Sequence, residues 1–143
     1  MFIRAPSGQS LLYDGGRKTD APLEYLRGLG VDLVIASHPD ANHIAELIPV
    51  VEAYQPRFYL DNGIPHLTQT YARLLEAVEG AGSQLLDPTA RTINLGEASV
   101  QILPPPTSAR FDSSNSVGLV ITCGDFEAAL TDDAEALIVR VVG

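Results

Sequence analysis

Two histidines, an aspartate and an asparagine fall within six residues of one another: His38, Asp40, Asn42 and His43. Imidazole and carboxylate are the ligand types that hold Zn²⁺ or Mn²⁺. Side chains two residues apart on an extended loop point the same way, so His38 and Asp40 can serve one ion. His43, one residue beyond Asn42, would face a second position. The same residues also suit plain structural roles. Asp40 or Asn42 can cap a helix, and His38 can be a satisfied polar group at a strand end. Residue types alone leave both readings open.

The flanking segments define where this cluster must sit. Before it, Val31, Leu33, Val34 and Ile35 form a continuous apolar run, the pattern of a strand covered on both faces. After it, Ile44, Leu47, Ile48, Val51 and Tyr54 recur at helical spacing, with Pro49 expected in the second turn or at a bend. The cluster therefore lies between the C-terminal end of a buried strand and a helix N-terminus. Upstream, residues 2–4 and 11–13 read as a hairpin across Pro6-Ser7-Gly8, closed by Asp14-Gly15-Gly16. A helix follows, capped by Thr19 or Asp20 and stopped between Gly28 and Gly30.

Downstream, residues 57–60 read as a short strand, Asp61-Asn62-Gly63 as a turn, and residues 68–78 as a helix. That helix carries Tyr71, Leu74, Leu75 and Val78 on one face and is ended by Gly80 and Gly82. From Leu85 the character changes. Residues 92–95, 99–103, 117–122 and 126–130 are strand-like and separated by turn residues, so they read as successive hairpins. Residues 131–135 open a final short segment. Strand and helix alternate and then give way to a β-rich half, which predicts an α/β or α+β chain, a single domain over residues 1–143.

The chain has 143 residues, 45% of them hydrophobic, enough for one core. Nine Lys+Arg against eighteen Asp+Glu give a formal charge of −9, so no basic footprint supports tight binding of a phosphate backbone unless a cation intervenes. No apolar run reaches a membrane span and no signal peptide is visible, so the expected location is cytoplasmic by default, without a membrane partner. Cys123 is the only cysteine, which excludes an intramolecular disulfide and a multi-cysteine zinc site.

Ser37-His38-Pro39-Asp40-Ala41-Asn42-His43 after an apolar strand resembles the H-x-H-x-D-H loop of the metallo-β-lactamase fold, most closely the H-x-D-x-D-H form of the ComEC/Rec2 competence-protein group. Other segments agree in order. Pro6-Ser7-Gly8 with Leu12-Tyr13-Asp14-Gly15-Gly16 resembles that group's "PSG…LIDGG". Residues 23–34 resemble its "L-x-Y-L-R…G-V-x-x-L-D-L-L-V", Asn115-Ser116-Val117 its "NSVVL", and Leu130-Thr131-Asp132-Asp133-Ala134-Glu135 its "LTGDAE". The resemblance implies an αββα sandwich, shortened at both ends because 143 residues fall below the roughly 200 that such a two-sheet fold needs.

Carried over position by position, the resemblance makes His38 and Asp40 ligands of a first divalent metal, Zn or Mn. Asn42 and His43 take the second metal's positions, and Asp133 matches the bridging carboxylate. Asp14 matches the strand-end Asp that supports the loop from behind. The catalytic set implied is Asp40, Asn42 and Asp133 around a metal-activated water, with a phosphodiester, DNA in particular, as substrate. Asn42 stands where the family has Asp, an amide oxygen without charge, so the second ion should bind more weakly. Asp132 stands in place of a Gly. The family's later His-rich segment has no counterpart.

Three further residues have a weaker claim. His66 follows a strand and could point over the same rim, although a lone loop histidine is usually a surface residue. Asn115 and Ser116 could touch substrate, or simply form a turn before a strand. Two function classes result: a ComEC-like metal-dependent hydrolase, and a non-catalytic binding domain with an incomplete metal site. A shortened fold would leave open sheet edges, so a homo-oligomer is expected.

Overall fold

A computed structural model describes residues 2–14, 30–38, 44–64, 67–105 and 116–130, and the backbone of 138–141. The opening hairpin forms as expected, with β1 (Phe2–Arg4) antiparallel to β2 (Ser10–Tyr13). Its turn is closed by Gly8 N–H donating to Ala5 O and by Ala5 N–H donating to Gln9 O, each at 2.8 Å. The apolar run becomes β3 (Leu33–Ile35), followed by β4 (Phe58–Leu60) and β5 (Gln84–Leu86). These join β2 in a parallel ladder, giving one five-stranded sheet in the order β1-β2-β3-β4-β5.

The β-rich half folds as a meander: β6 (Thr92–Leu95), β7 (Ala98–Leu103), β8 (Gly118–Cys123), β9 (Phe126–Leu130) and β10 (Ile138–Val141). All neighbours are antiparallel, in the order β10-β9-β8-β7-β6. The two sheets face each other. Leu11, Leu33, Ile35 and Leu60 of the first pack against Val100, Ile102, Leu119 and Ile121 of the second in one buried cluster. Strand alternation sends Leu12, Val34 and Tyr59 to the opposite face of the first sheet. There they meet α1 (Leu47–Tyr54) and α2 (Gln69–Ala81) through Leu47, Val50, Val51, Tyr71, Leu74 and Val78. β3 is thus covered on both faces, as its unbroken apolar run predicts.

The structure adjusts several boundaries. Pro49 lies in the first turn of α1, not the second, and helical backbone is interrupted at residues 45–46. Proline lacks the N–H that would bond the carbonyl of residue 45, and its ring crowds that carbonyl, so the helix restarts where proline's missing donor costs nothing. α2 runs three residues beyond the expected end, through Gly80, and stops where Gly82 turns left-handed at φ 72°. Its N-cap Thr68 accepts from Tyr71 N–H at 3.3 Å. β5 and β10 were not expected as strands. The helix expected over 19–30 lies, but for Gly30, outside the described residues.

The turns of the two sheets also touch at one end. Ser7 N–H donates to Glu97 Oε2 at 3.2 Å, and Gly96, at φ 60°, leaves no room between them for a side chain because an added Cβ would collide with Ser7 Oγ. Gly96→Ala should therefore lower stability by about 1–3 kcal/mol, combining left-handed strain with displacement of the 5–9 turn. Urea unfolding of the variant checks this, and an unchanged midpoint would contradict the close approach.

Candidate functional site

β2 and β3 run side by side and end level, at Tyr13 and Ile35. Where a parallel strand stops, its next backbone donors need new partners. Asp14 supplies them. Its own N–H extends the ladder by one bond to Ile35 O at 2.9 Å, and its backbone then turns left-handed at φ 56°, a conformation Asp tolerates better than most residues. The carboxylate is clamped on Ser37: Oδ1 accepts from Ser37 N–H at 2.7 Å and Oδ2 from Ser37 Oγ at 2.6 Å. Both residues are buried. Asp14 thus holds the exit of β3.

Ser37 also ties this end to the second sheet. Its carbonyl accepts from Val117 N–H at 2.8 Å, while Val117 O accepts from the Tyr13 hydroxyl at 2.7 Å. Ser116, the residue before Val117, is thereby brought over the end of β3. Its Oγ lies 3.2 Å from Nδ1 of His38, whose side chain is 5% exposed. A hydroxyl on Nδ1 fixes the ring plane. If Nδ1 carries the proton, the lone pair is on Nε2, the usual arrangement for an imidazole ligand with an outer hydrogen-bond partner.

Of the sequence-derived site residues, the structure therefore brings His38, Asp14 and Ser116 to one end of the sandwich. Asp40, Asn42, His43, His66, Asn115 and Asp133 lie outside the described residues. Among the described residues no group of three His, Cys, Asp or Glu side chains is placed to hold a metal. His38 fits a metal by its donor chemistry and its fixed ring. Both Asp14 oxygens accept from Ser37, so Asp14 bears on residue 38 through its neighbour in the chain.

A second buried carboxylate, Asp61, stands at the end of β4, two strands from Asp14. Asp61 Oδ2 accepts from the hydroxyls of Tyr59 and Tyr71 at 3.0 and 2.7 Å, and Oδ1 from Gly63 N–H at 2.8 Å. Asn62 Oδ1 accepts from Ile64 N–H at 3.0 Å, so residues 61–64 form two successive side-chain-closed turns. Burial pushes the Tyr59 hydroxyl well above its ordinary pKa, and the Asp61 charge adds to this. Tyr71 is raised by the same two causes in the same order. The sequence reading took Asp61-Asn62-Gly63 as a plain turn and missed this network, as it missed the roles of Ser37 and Tyr13. One signal was present: Tyr59 and Asp61 share a strand face, and Tyr71 lies on the apolar face of the helix that covers it.

Neither a family model nor a curated protein matches the sequence. Solved structures do match. A metallo-β-lactamase with an HARLDQ motif from Cronobacter sakazakii superposes with a TM-score of 0.58 at 12% identity, over 90% of this chain and 54% of that one. Zn²⁺-bound PqqB from Methylobacterium extorquens gives 0.58 at 15% identity, over 90% and 50%. ETHE1 from Myxococcus xanthus gives 0.52 at 19% identity, over 87% and 48%. This chain spans about half the length of the structures it matches, and what they share with it is the metallo-β-lactamase fold.

The tyrosine network has a pH signature. Folding keeps Tyr59 and Tyr71 protonated above pH 10, where unfolded tyrosines ionise, so the native state binds more protons and stability must fall as pH rises past 10. Tyr71→Phe removes one such group and one donor to Asp61. It should cost about 1–2 kcal/mol near neutrality and flatten the alkaline loss. Denaturant titrations between pH 7 and pH 11 read both effects, and an equally steep alkaline loss in the variant would refute the coupling.

Proposed function

We propose that this chain carries the metal-binding half-site of a metal-dependent hydrolase, with His38 and Asp40 holding a first divalent cation, Asn42 and His43 a second, and Asp133 between them. The observation that supports this is His38, buried at the end of a parallel strand with its ring fixed by Ser116 and its loop clamped by Asp14. Such positioning is what a ligand requires and is costly to build for a surface histidine. Zn²⁺ or Mn²⁺ would supply an acidified water and positive charge for the oxygen on which the transition state's negative charge builds.

The chain's own residues do the rest. Asp14 and Ser37 set the direction in which residue 38 leaves the sheet. Ser116 holds the His38 ring and lies where it could touch a bound substrate. The finer reading, a ComEC-like enzyme acting on phosphodiesters and on DNA, rests on the ordered motifs of the sequence. It suits a chain of charge −9 only through the cation, since the protein surface itself repels a polyanion. Asn42 favours a second reading, a non-catalytic binding domain of the same fold, because an amide in place of a carboxylate weakens the second ion.

One experiment separates the two. Metal content and hydrolysis of bis(p-nitrophenyl) phosphate and of DNA are measured with Mn²⁺ and Zn²⁺ for the native chain, Asn42→Asp and His38→Ala. A hydrolase should bind at least one ion per chain, gain about tenfold or more in rate with Asn42→Asp, and lose metal and activity with His38→Ala. No metal-dependent activity in either the native chain or Asn42→Asp establishes the binding-domain reading.

The same reading includes self-association. β5 and β6 end their sheets on the same side, and Leu85 on β5 is 64% exposed. Edge strands of this kind pair readily with another copy. Light scattering at micromolar concentration should give a dimer mass or higher, and a monomer would refute it.

A further inference from the structure

The end of the sandwich opposite the candidate site holds a second opening. Gln9, Asp32 and Arg57 immediately precede β2, β3 and β4, just as Asp14, the 36–38 segment and Asp61 immediately follow them. Because these strands are parallel, the two sets of residues lie at opposite ends. A cleft of about 470 Å³ opens at the leading end, where the edge strands β5 and β6 part. That is the size range in which proteins hold small organic ligands.

Its walls and its mouth differ in chemistry. Leu33, Phe58 and Leu86 from the first sheet and Ile93 and Leu95 from the second line it, and all five belong to the inter-sheet core or pack against it. Arg57 and Arg91 line it too. The Arg57 guanidinium lies over the Phe58 ring, 5.3 Å from its centroid, which holds the charge against the apolar wall. Both arginines are exposed, and neither guanidinium forms an ion pair or hydrogen bond among the described residues. On a chain with nine cationic residues against eighteen acidic ones, two arginines at one apolar cleft are a local concentration of positive charge. The one carboxylate lining the cleft, Asp32, accepts from Ser10 N–H at 2.9 Å. Two guanidinium charges less that carboxylate leave a net charge of one, which matches a monoanion better than a dianionic phosphate.

We propose that this cleft is a binding site for an organic monocarboxylate with an apolar body, its carboxylate on Arg57 and Arg91 and its hydrocarbon between the sheets. Guanidinium and carboxylate match in planar geometry and bind through charge-assisted hydrogen bonds. The site is separate from the His38 end and does not depend on a metal.

Decanoate is the probe, with decan-1-ol as its uncharged counterpart. Each is titrated into the ¹⁵N-labelled 143-residue chain and followed by amide shifts. Decanoate should saturate and move the amides of residues 32–33, 57–58 and 92–95 while leaving those of 37–38 in place. Decan-1-ol and the double variant R57Q/R91Q should each bind about tenfold more weakly, the loss expected when a charged hydrogen bond is removed. The variant's own spectrum reports whether it is folded. Should it not be, raising salt on the native chain replaces it, and decanoate binding must then weaken. Decan-1-ol binding as tightly as decanoate, undiminished decanoate binding by folded R57Q/R91Q or in high salt, or shifts confined to 37–38 would each overturn the proposal.

Discussion

The peptide of Ser37 has to leave a parallel strand inside the protein, where no water can satisfy its backbone groups. The structure resolves this with one carboxylate. Asp14, at the end of the neighbouring strand, accepts from both the N–H and the hydroxyl of Ser37, and the Ser37 carbonyl accepts from Val117 in the other sheet. Tyr13 then closes the loop by donating to the Val117 carbonyl. Four hydrogen bonds close this ring: two to a charge, the stronger kind, between residues 23 positions apart, and two that join residues 80 and 104 positions apart. Both sheets are registered at this end by that ring. Placement of His38 and Ser116 over it is a consequence.

The left-handed backbone of Asp14 belongs to the same arrangement. The strain is modest for Asp, whose short side chain tolerates this region, and it is offset by satisfying two buried donors. Asp61 repeats the device one strand further on, with tyrosine hydroxyls and Gly63 N–H as donors. Two adjacent strands of the parallel sheet thus lead into polar, hydrogen-bonded ends on the side where open α/β sheets generally bind ligands. At their other ends the same strands begin with Asp32 and Arg57, beside an apolar cleft.

How much of this the sequence disclosed varied with the length and amphipathicity of each segment. The unbroken apolar run at 31–35 and the strand-like segments of the second half carry their burial pattern in their residues, whereas the two-sheet sandwich was implied by the resemblance alone. Gln84-Leu85-Leu86 could not be read as a strand, because it is three residues long and half exposed, and its pairing with β4 depends on α2 returning the chain. The helix after the His38 loop had the right period, and the break at residues 45–46 falls four and three residues before Pro49, where proline's ring and missing donor act. Asp14 stood out only through the resemblance. Its partner Ser37 was in plain view and uninterpreted, because a hydrogen bond between the ends of two strands leaves no periodic trace.

The two buried carboxylates bear on the metal question in a way composition does not. A chain with eighteen acidic residues looks well supplied with cation ligands. Yet Asp14 spends both oxygens on Ser37, and Asp61 spends both on Tyr59, Tyr71 and Gly63. Both are engaged in holding strand ends, and losing any of these bonds would leave a buried donor unsatisfied at about 1–3 kcal/mol. In the proposed site the anionic ligands of a metal pair are Asp40 and Asp133. With Asn42 contributing no charge, two dications would face two carboxylates, leaving the pair less neutralised than it would be with an aspartate at position 42. On the proposed ligand set one ion would be held more strongly, at His38 and Asp40, and a second would depend on the residue at position 42.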